Sequence, residues 1–173
     1  MQQQIREMIA SEMSAFRLPR YDDIPNVGLY LEQTVHYICE YLDPLYHNAV
    51  TGPMISNYVK KKMVANPVRK QYGREQIAEL LFITVAKPIL SLDNITVLLA
   101  IRKKRYGIKD AYNEFCEILE QAVKQAFGLC MDSFPEDIPE DKEILKNTMI
   151  AAANKLYLEQ WISRYAREEG RFD

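Results

Sequence analysis

"MISNYVKKKMVANPVRKQYGREQI", residues 54–77, holds six of the chain's 22 basic residues and no acid before Glu75. The whole chain has 24 acidic residues and a net charge of −2, so its positive charge is gathered rather than spread. Placed on a helix at about 100° per residue, Met54, Ile55, Tyr58, Val59 and Met63 share one half, and Ser56, Asn57, Lys60 and Lys61 share the other. Lys62 lies nearer the apolar side at the C-terminal end, where a cation suits the helix dipole and its stem can snorkel. Thr51 or Gly52 supplies a cap and Pro53 fits the first turn, which predicts a helix over 52–63. "ANPVRKQYG", residues 65–73, has no periodicity and reads as a loop or small hairpin with a proline entry and a glycine exit.

Upstream, residues 1–16 are weakly helical and "RLPRYDDIPNVG" is an extended lead-in. Leu31, Val35, Ile38, Leu42 and Leu45 recur at spacings of three and four, predicting a helix from Leu29 that ends at Pro44 and "YHNAVTGP". Downstream, a helix from Arg74 to about Ala86 turns Ile77, Leu80, Leu81 and Thr84 inward and stops before Pro88. Ser91 caps the next helix, whose apolar face is Leu92, Ile95, Leu98 and Leu99. "RKKRYGIKD" marks a boundary between a domain at 18–101 and a helical region at 102–173. Within the latter, a helix near 109–128 sets Ala111, Phe115, Ile118, Ala122 and Leu129 on one seam, and a last helix runs from about 140 to 168. The fold class is all-α, with no strand longer than a wing.

Composition narrows the function. Apolar residues make up 48% of the chain, enough for a core. No run of 18 apolar residues is present, so no membrane span or membrane partner is expected. The N-terminus lacks the basic and apolar regions of a signal peptide, and Cys39, Cys116 and Cys130 stand far apart in apolar contexts. Both point to a cytoplasmic protein with reduced thiols. His36 and His47 have no partners at metal-ligand spacing, and no phosphate loop or nucleophile motif occurs. No metal, no cofactor and no enzymatic activity are expected.

The segment at 54–74 has the parts of a nucleic-acid reader. A docked helix turns outward amide and hydroxyl groups that can read base edges, beside lysines that neutralise phosphates. Arg69, Lys70, Tyr72 and Arg74 around the following turn suit a wing on the backbone. The competing reading is a helical protein-interaction module whose basic face meets an acidic partner.

"MISNYVKKKMVANPVRKQYGREQIAELLFI…LSLDNITVLL" resembles the winged helix-turn-helix of MerR-type regulators. The longer span from "LPRYDDIPNVGLYLEQ" to "ITVLL" is more similar to a bacterial family of uncharacterised proteins with a MerR-like DNA-binding domain. The first helix is longer than in MerR proteins, the wing reads Gln71-Tyr72-Gly73-Arg74, and the cysteine cluster of metal sensors is missing. The resemblance implies a sequence-specific transcriptional regulator that binds double-stranded DNA as a homodimer, with its effector undefined. It places Ser56, Asn57, Tyr58, Lys60 and Lys61 on the recognition helix, and Arg69, Lys70 and Tyr72 on the wing.

Two features remain open at this level. The seam from Ala111 to Leu129 could pair with a second subunit or pack within one chain. Tyr157, Trp161 and Tyr165 form an aromatic ridge that suits core packing or the wall of a small-molecule pocket.

Overall fold

A computed structural model of the chain describes residues 2–170. Among these, seven α-helices and one two-stranded antiparallel sheet make the protein mainly helical. The chain divides into two compact units, residues 17–116 and residues 1–16 with 117–173.

In the unit at 17–116, the lead-in makes a single 3₁₀ turn at Tyr21–Asp23, then strand β1 (Leu29–Tyr30), helix α2 (Leu31–Leu42) and helix α3 (Gly52–Lys60). Strand β2 (Gln71–Tyr72), helix α4 (Arg74–Ala86) and helix α5 (Leu92–Arg105) follow. The expected helix from Leu29 thus starts two residues later. Leu29 and Tyr30 pair with Tyr72 and Gln71, and the N–H of Tyr30 is capped by Gln33 Oε1 at 2.9 Å. The sheet takes residues that periodicity alone would assign to the helix.

Helix α4 is the hub of this unit. Every residue from Ile77 to Ala86 is buried, including Glu79 and Thr84. A helix apolar on all sides has no surface face, and the amphipathic reading of this stretch gives way to that. Thr84 satisfies its hydroxyl by donating to Leu80 O at 2.7 Å. Helix α2 packs on α4 and α3 through Ile38 and Leu42, both fully buried. Ser91 caps α5 as expected, accepting from Asn94 N at 3.2 Å. The basic run 102–105 forms the last turn of α5, so the chain is helical across the 101/102 boundary read from the sequence.

Helix α6 (Ile108–Ala126) begins in this unit and ends in the other. Of its seam, Ala111, Phe115 and Ala122 are buried, with Phe115 set edge-on against Phe82 at 5.4 Å, while Ile118 and Leu129 are half-buried. Gly128, at φ +70°, closes α6, with Leu129 N bonded to Lys124 O at 2.7 Å.

The second unit pairs helix α1 (Gln2–Met13) with helix α7 (Glu140–Glu168). Ile5, Ile9 and Met13 form the buried stripe of α1, and Arg164 of α7 pairs with Glu12. The aromatic ridge is split in role. Tyr157 packs edge-on to Phe127, while Trp161 stacks on Tyr165 at 5.1 Å. No helix among the described residues is long and apolar enough to cross a membrane.

Candidate nucleic-acid interface

Thr51 opens α3, its Oγ1 accepting from Met54 N at 3.4 Å, with Pro53 in the first turn where its missing N–H costs nothing. The helix buries Ile55 and Tyr58. The opposite side exposes Pro53, Ser56, Asn57, Lys60 and Lys61, a stripe at spacings of three and four. The divide between a docked face and an open face follows the sequence pattern.

The helix ends at Lys60, three residues before the expected Met63. Lys62 adopts φ +59°, Lys62 N bonds Val59 O at 2.9 Å, and Met63 N bonds Tyr58 O at 3.0 Å. This is a Schellman closure with a lysine where glycine is usual. Met63 and Tyr58 are both buried. The three lysines are therefore the last helical residue, the cap and the left-handed residue after it, and they leave the helix in different directions.

The segment expected to form a wing is a hairpin turn, though not one built from two strands of its own. Val68 and Gln71 exchange both backbone hydrogen bonds, at 3.0 and 2.9 Å. Arg69 and Lys70 between them have φ +51° and +64°. Positive φ at both central residues is the I′ pattern, which favours Asn-Gly. Gln71 then pairs with Tyr30, so a row of Tyr30, Gln71 and Val68 shares one face. Tyr30 and Val68 are exposed there, and neither was singled out from the sequence; only the register between segments 40 residues apart reveals the row.

Gln76, in the first turn of α4, anchors the hairpin's base. Its Oε1 accepts from Gly73 N at 2.7 Å and its Nε2 donates to Ala65 O at 2.8 Å. Gly28 approaches Gln71 so closely that an added Cβ would lie 2.6 Å from Gln71 Cβ.

Three of the residues assigned to DNA contact are placed otherwise. Tyr58 is 1% exposed, its phenol pushed up by burial, with Lys87 Nζ 5.9 Å from the ring centre. Tyr72 is buried as well, and burial raises its phenol. Both aromatic rings fall on the docked side of their elements. Arg74 is used inside the unit. Its Nε donates to Ile24 O at 2.7 Å, its Nη2 to Asp22 O at 3.2 Å, and its guanidinium lies 5.5 Å from the Tyr21 ring centre. It ties the lead-in to α4. Ser56, Asn57, Lys60, Lys61, Arg69 and Lys70 remain exposed.

Asp22, next to that tie, bonds Lys109 Nζ at 2.5 Å. This bond lowers the Asp22 carboxyl below its ordinary value and raises the Lys109 ammonium. His36 and His47 are exposed, and Cys39 donates to Val50 O at 3.4 Å, bracing the turn between α2 and α3. Cys39, Cys116 and Cys130 form no disulfide.

Comparison with the curated proteins and with the solved structures finds no match. Residues 19–115, more than half of the chain and almost all of the unit at 17–116, match the family described as a domain of unknown function, DUF1836, and the chain belongs to that family.

Proposed function

We propose that the unit at 17–116 is a MerR-like winged helix-turn-helix that binds double-stranded DNA, and that the protein is a sequence-specific, dimeric, non-enzymatic transcriptional regulator of the cytoplasm. One observation carries the reading. Helix α3 buries one side and exposes Ser56, Asn57, Lys60 and Lys61 on the other, in a segment without acids from Thr51 to Arg74. Asn57 offers a bidentate amide of the kind that reads adenine, Ser56 a hydroxyl, and the lysines neutralise phosphate. Arg69 and Lys70 at the turn beyond are the second grip.

Fluorescence anisotropy with random duplexes and with duplexes selected from a random pool tests this. Affinity falls steeply as salt rises, with a log–log slope of about −0.9 per phosphate contact. Asn57→Ala relaxes the selected sequence, and Lys60→Ala weakens all sequences alike. A folded sample that binds no duplex at about 50 mM salt refutes the proposal. If Lys60→Glu with Lys61→Glu instead abolishes capture of an acidic protein, the basic face belongs to an interaction module.

A further inference from the structure

A cavity of about 350 Å³ lies within the unit at 17–116, between the loop after α3, α4, α5 and the start of α6. Leu99, Ile108 and Ala111 give it apolar walls, and Gln76 and Ala65 border it on the hairpin side. Its polar groups are not scattered. Glu75 and Glu79 project from α4, and Arg102 and Lys103 from α5.

Glu79 is the unusual member. It is 7% exposed, on the otherwise apolar hub helix, and Lys103 Nζ meets its Oε1 at 2.8 Å. That lysine's side chain is 58% exposed, so it reaches in from solvent. A buried carboxylate is costly, and an apolar residue of similar size would fill the place at no loss of stability. Arg102 is differently committed: it donates to Ala111 O and lies 5.7 Å from the Phe82 ring centre. The movable half of the polar set is therefore the Glu79–Lys103 pair, at the edge of an apolar cavity.

We propose that this cavity binds a small zwitterion with an apolar side chain, the chemistry of a free apolar amino acid. The ammonium replaces Lys103 at Glu79, and Lys103 turns to the ligand's carboxylate. The side chain lies on Leu99, Ile108 and Ala111. Charge selects the class. The Glu79–Lys103 pair sums to zero, so a ligand of zero net charge leaves both of its groups paired. A simple amine would displace Lys103 and give its ammonium no carboxylate in return. A simple acid would bring a carboxylate towards buried Glu79. The volume is at the lower end for small-molecule sites, which limits the occupant to one small molecule.

Isothermal titration calorimetry and thermal unfolding of the full chain, without DNA, test this independently of the DNA-binding reading. The probes are L-leucine and L-phenylalanine, against phenethylamine and 3-phenylpropionate. Expected is saturable binding of at least one amino acid with a rise in Tm, and at least tenfold weaker binding of the amine and the acid. Glu79→Gln and Lys103→Met should each weaken binding tenfold or more. The double change of Glu79→Gln with Lys103→Met removes both charges together and keeps the test valid should either single variant fail to fold. No binding of either amino acid at about 10 mM, corresponding to less than about 3 kcal/mol of affinity, overturns the proposal. So does equal binding of the amine or the acid, or unchanged affinity in Lys103→Met.

Discussion

Replacing Arg69-Lys70 by Asn-Gly should make the protein more stable and, on the proposed function, weaken its DNA binding at once. Both residues sit at positive φ in a two-residue turn closed by Val68 and Gln71. A side chain with a Cβ costs about 1 kcal/mol or more in that region. Asn tolerates it, and glycine escapes it but gives back about 0.5–1 kcal/mol in chain entropy. The net gain is about 1 kcal/mol, a rise in Tm of about 2–4 °C for a chain of this length. The side chains of Arg69 and Lys70 are exposed, so no internal contact is lost to offset it. The substitution also removes two charges. If both meet phosphate, the log–log salt slope of DNA binding shrinks by about 1.8. Thermal and urea unfolding followed by circular dichroism give the first quantity, and anisotropy against salt gives the second. A Tm that does not rise refutes the account of backbone strain. A higher Tm with an unchanged salt slope keeps that account and removes the turn from the DNA interface.

Other perturbations test separate contacts. Tyr58→Phe should leave stability unchanged or raise it by up to about 1 kcal/mol in urea unfolding, because the buried hydroxyl has no hydrogen-bond partner among the described residues. Gln76→Ala should cost about 1–2 kcal/mol, since it leaves Gly73 N–H and Ala65 C=O without their partner, and hydrogen exchange at the Gly73 amide should speed up. Asp22→Asn tests the pairing with Lys109. The Asp22 carboxyl is lowered in the fold, so its contribution is present above the usual carboxylate range and is lost as pH falls through the folded value. The variant should therefore be the less stable at pH 7 and indistinguishable from the parent once the parent's Asp22 is protonated, as read by Tm across an acid series.

The sequence revealed the helices best where local chemistry marks their ends. Thr51, Ser91 and Pro88 each act within a few residues, and α3, α5 and α4 begin or end beside them. It revealed the split of α3 into a docked and an open side, because period and polarity agree there. It did not reveal Lys62 as a left-handed cap. Lysine carries no signal for that conformation, and the closure depends on Met63 meeting Tyr58. Nor did it show that Tyr72 is buried and that Arg74 bonds the lead-in. Their partners, near Leu29 and at Ile24, lie about 40 to 50 residues away, beyond any local pattern. Glu79 was hidden for the same reason, since burial on every side of α4 is a property of its neighbours.

The division of basic residues explains how a chain of net charge −2 can present a positive surface. Several cations elsewhere are matched: Arg74 and Lys109 meet Asp22, Lys103 meets Glu79, Lys155 meets Glu159, and Arg164 meets Glu12. Lys60, Lys61, Lys62, Arg69 and Lys70 carry no ion pair among the described residues, although acids outnumber bases in the chain. Three of these five also hold positive φ, a conformation their side chains do nothing to favour. An exposed cation in a strained position, with no acid beside it, adds nothing to the fold that a neutral residue would not add more cheaply. Its worth lies in what it attracts from outside, and attraction by unpaired charge falls with ionic strength as the Debye length shortens from about 10 Å at 0.1 M to about 3 Å at 1 M. Replacing Lys62, Arg69 or Lys70 by glycine or asparagine should therefore change binding and its salt dependence while leaving stability equal or higher. Substituting Arg74 should do the reverse, because its guanidinium holds the lead-in to α4.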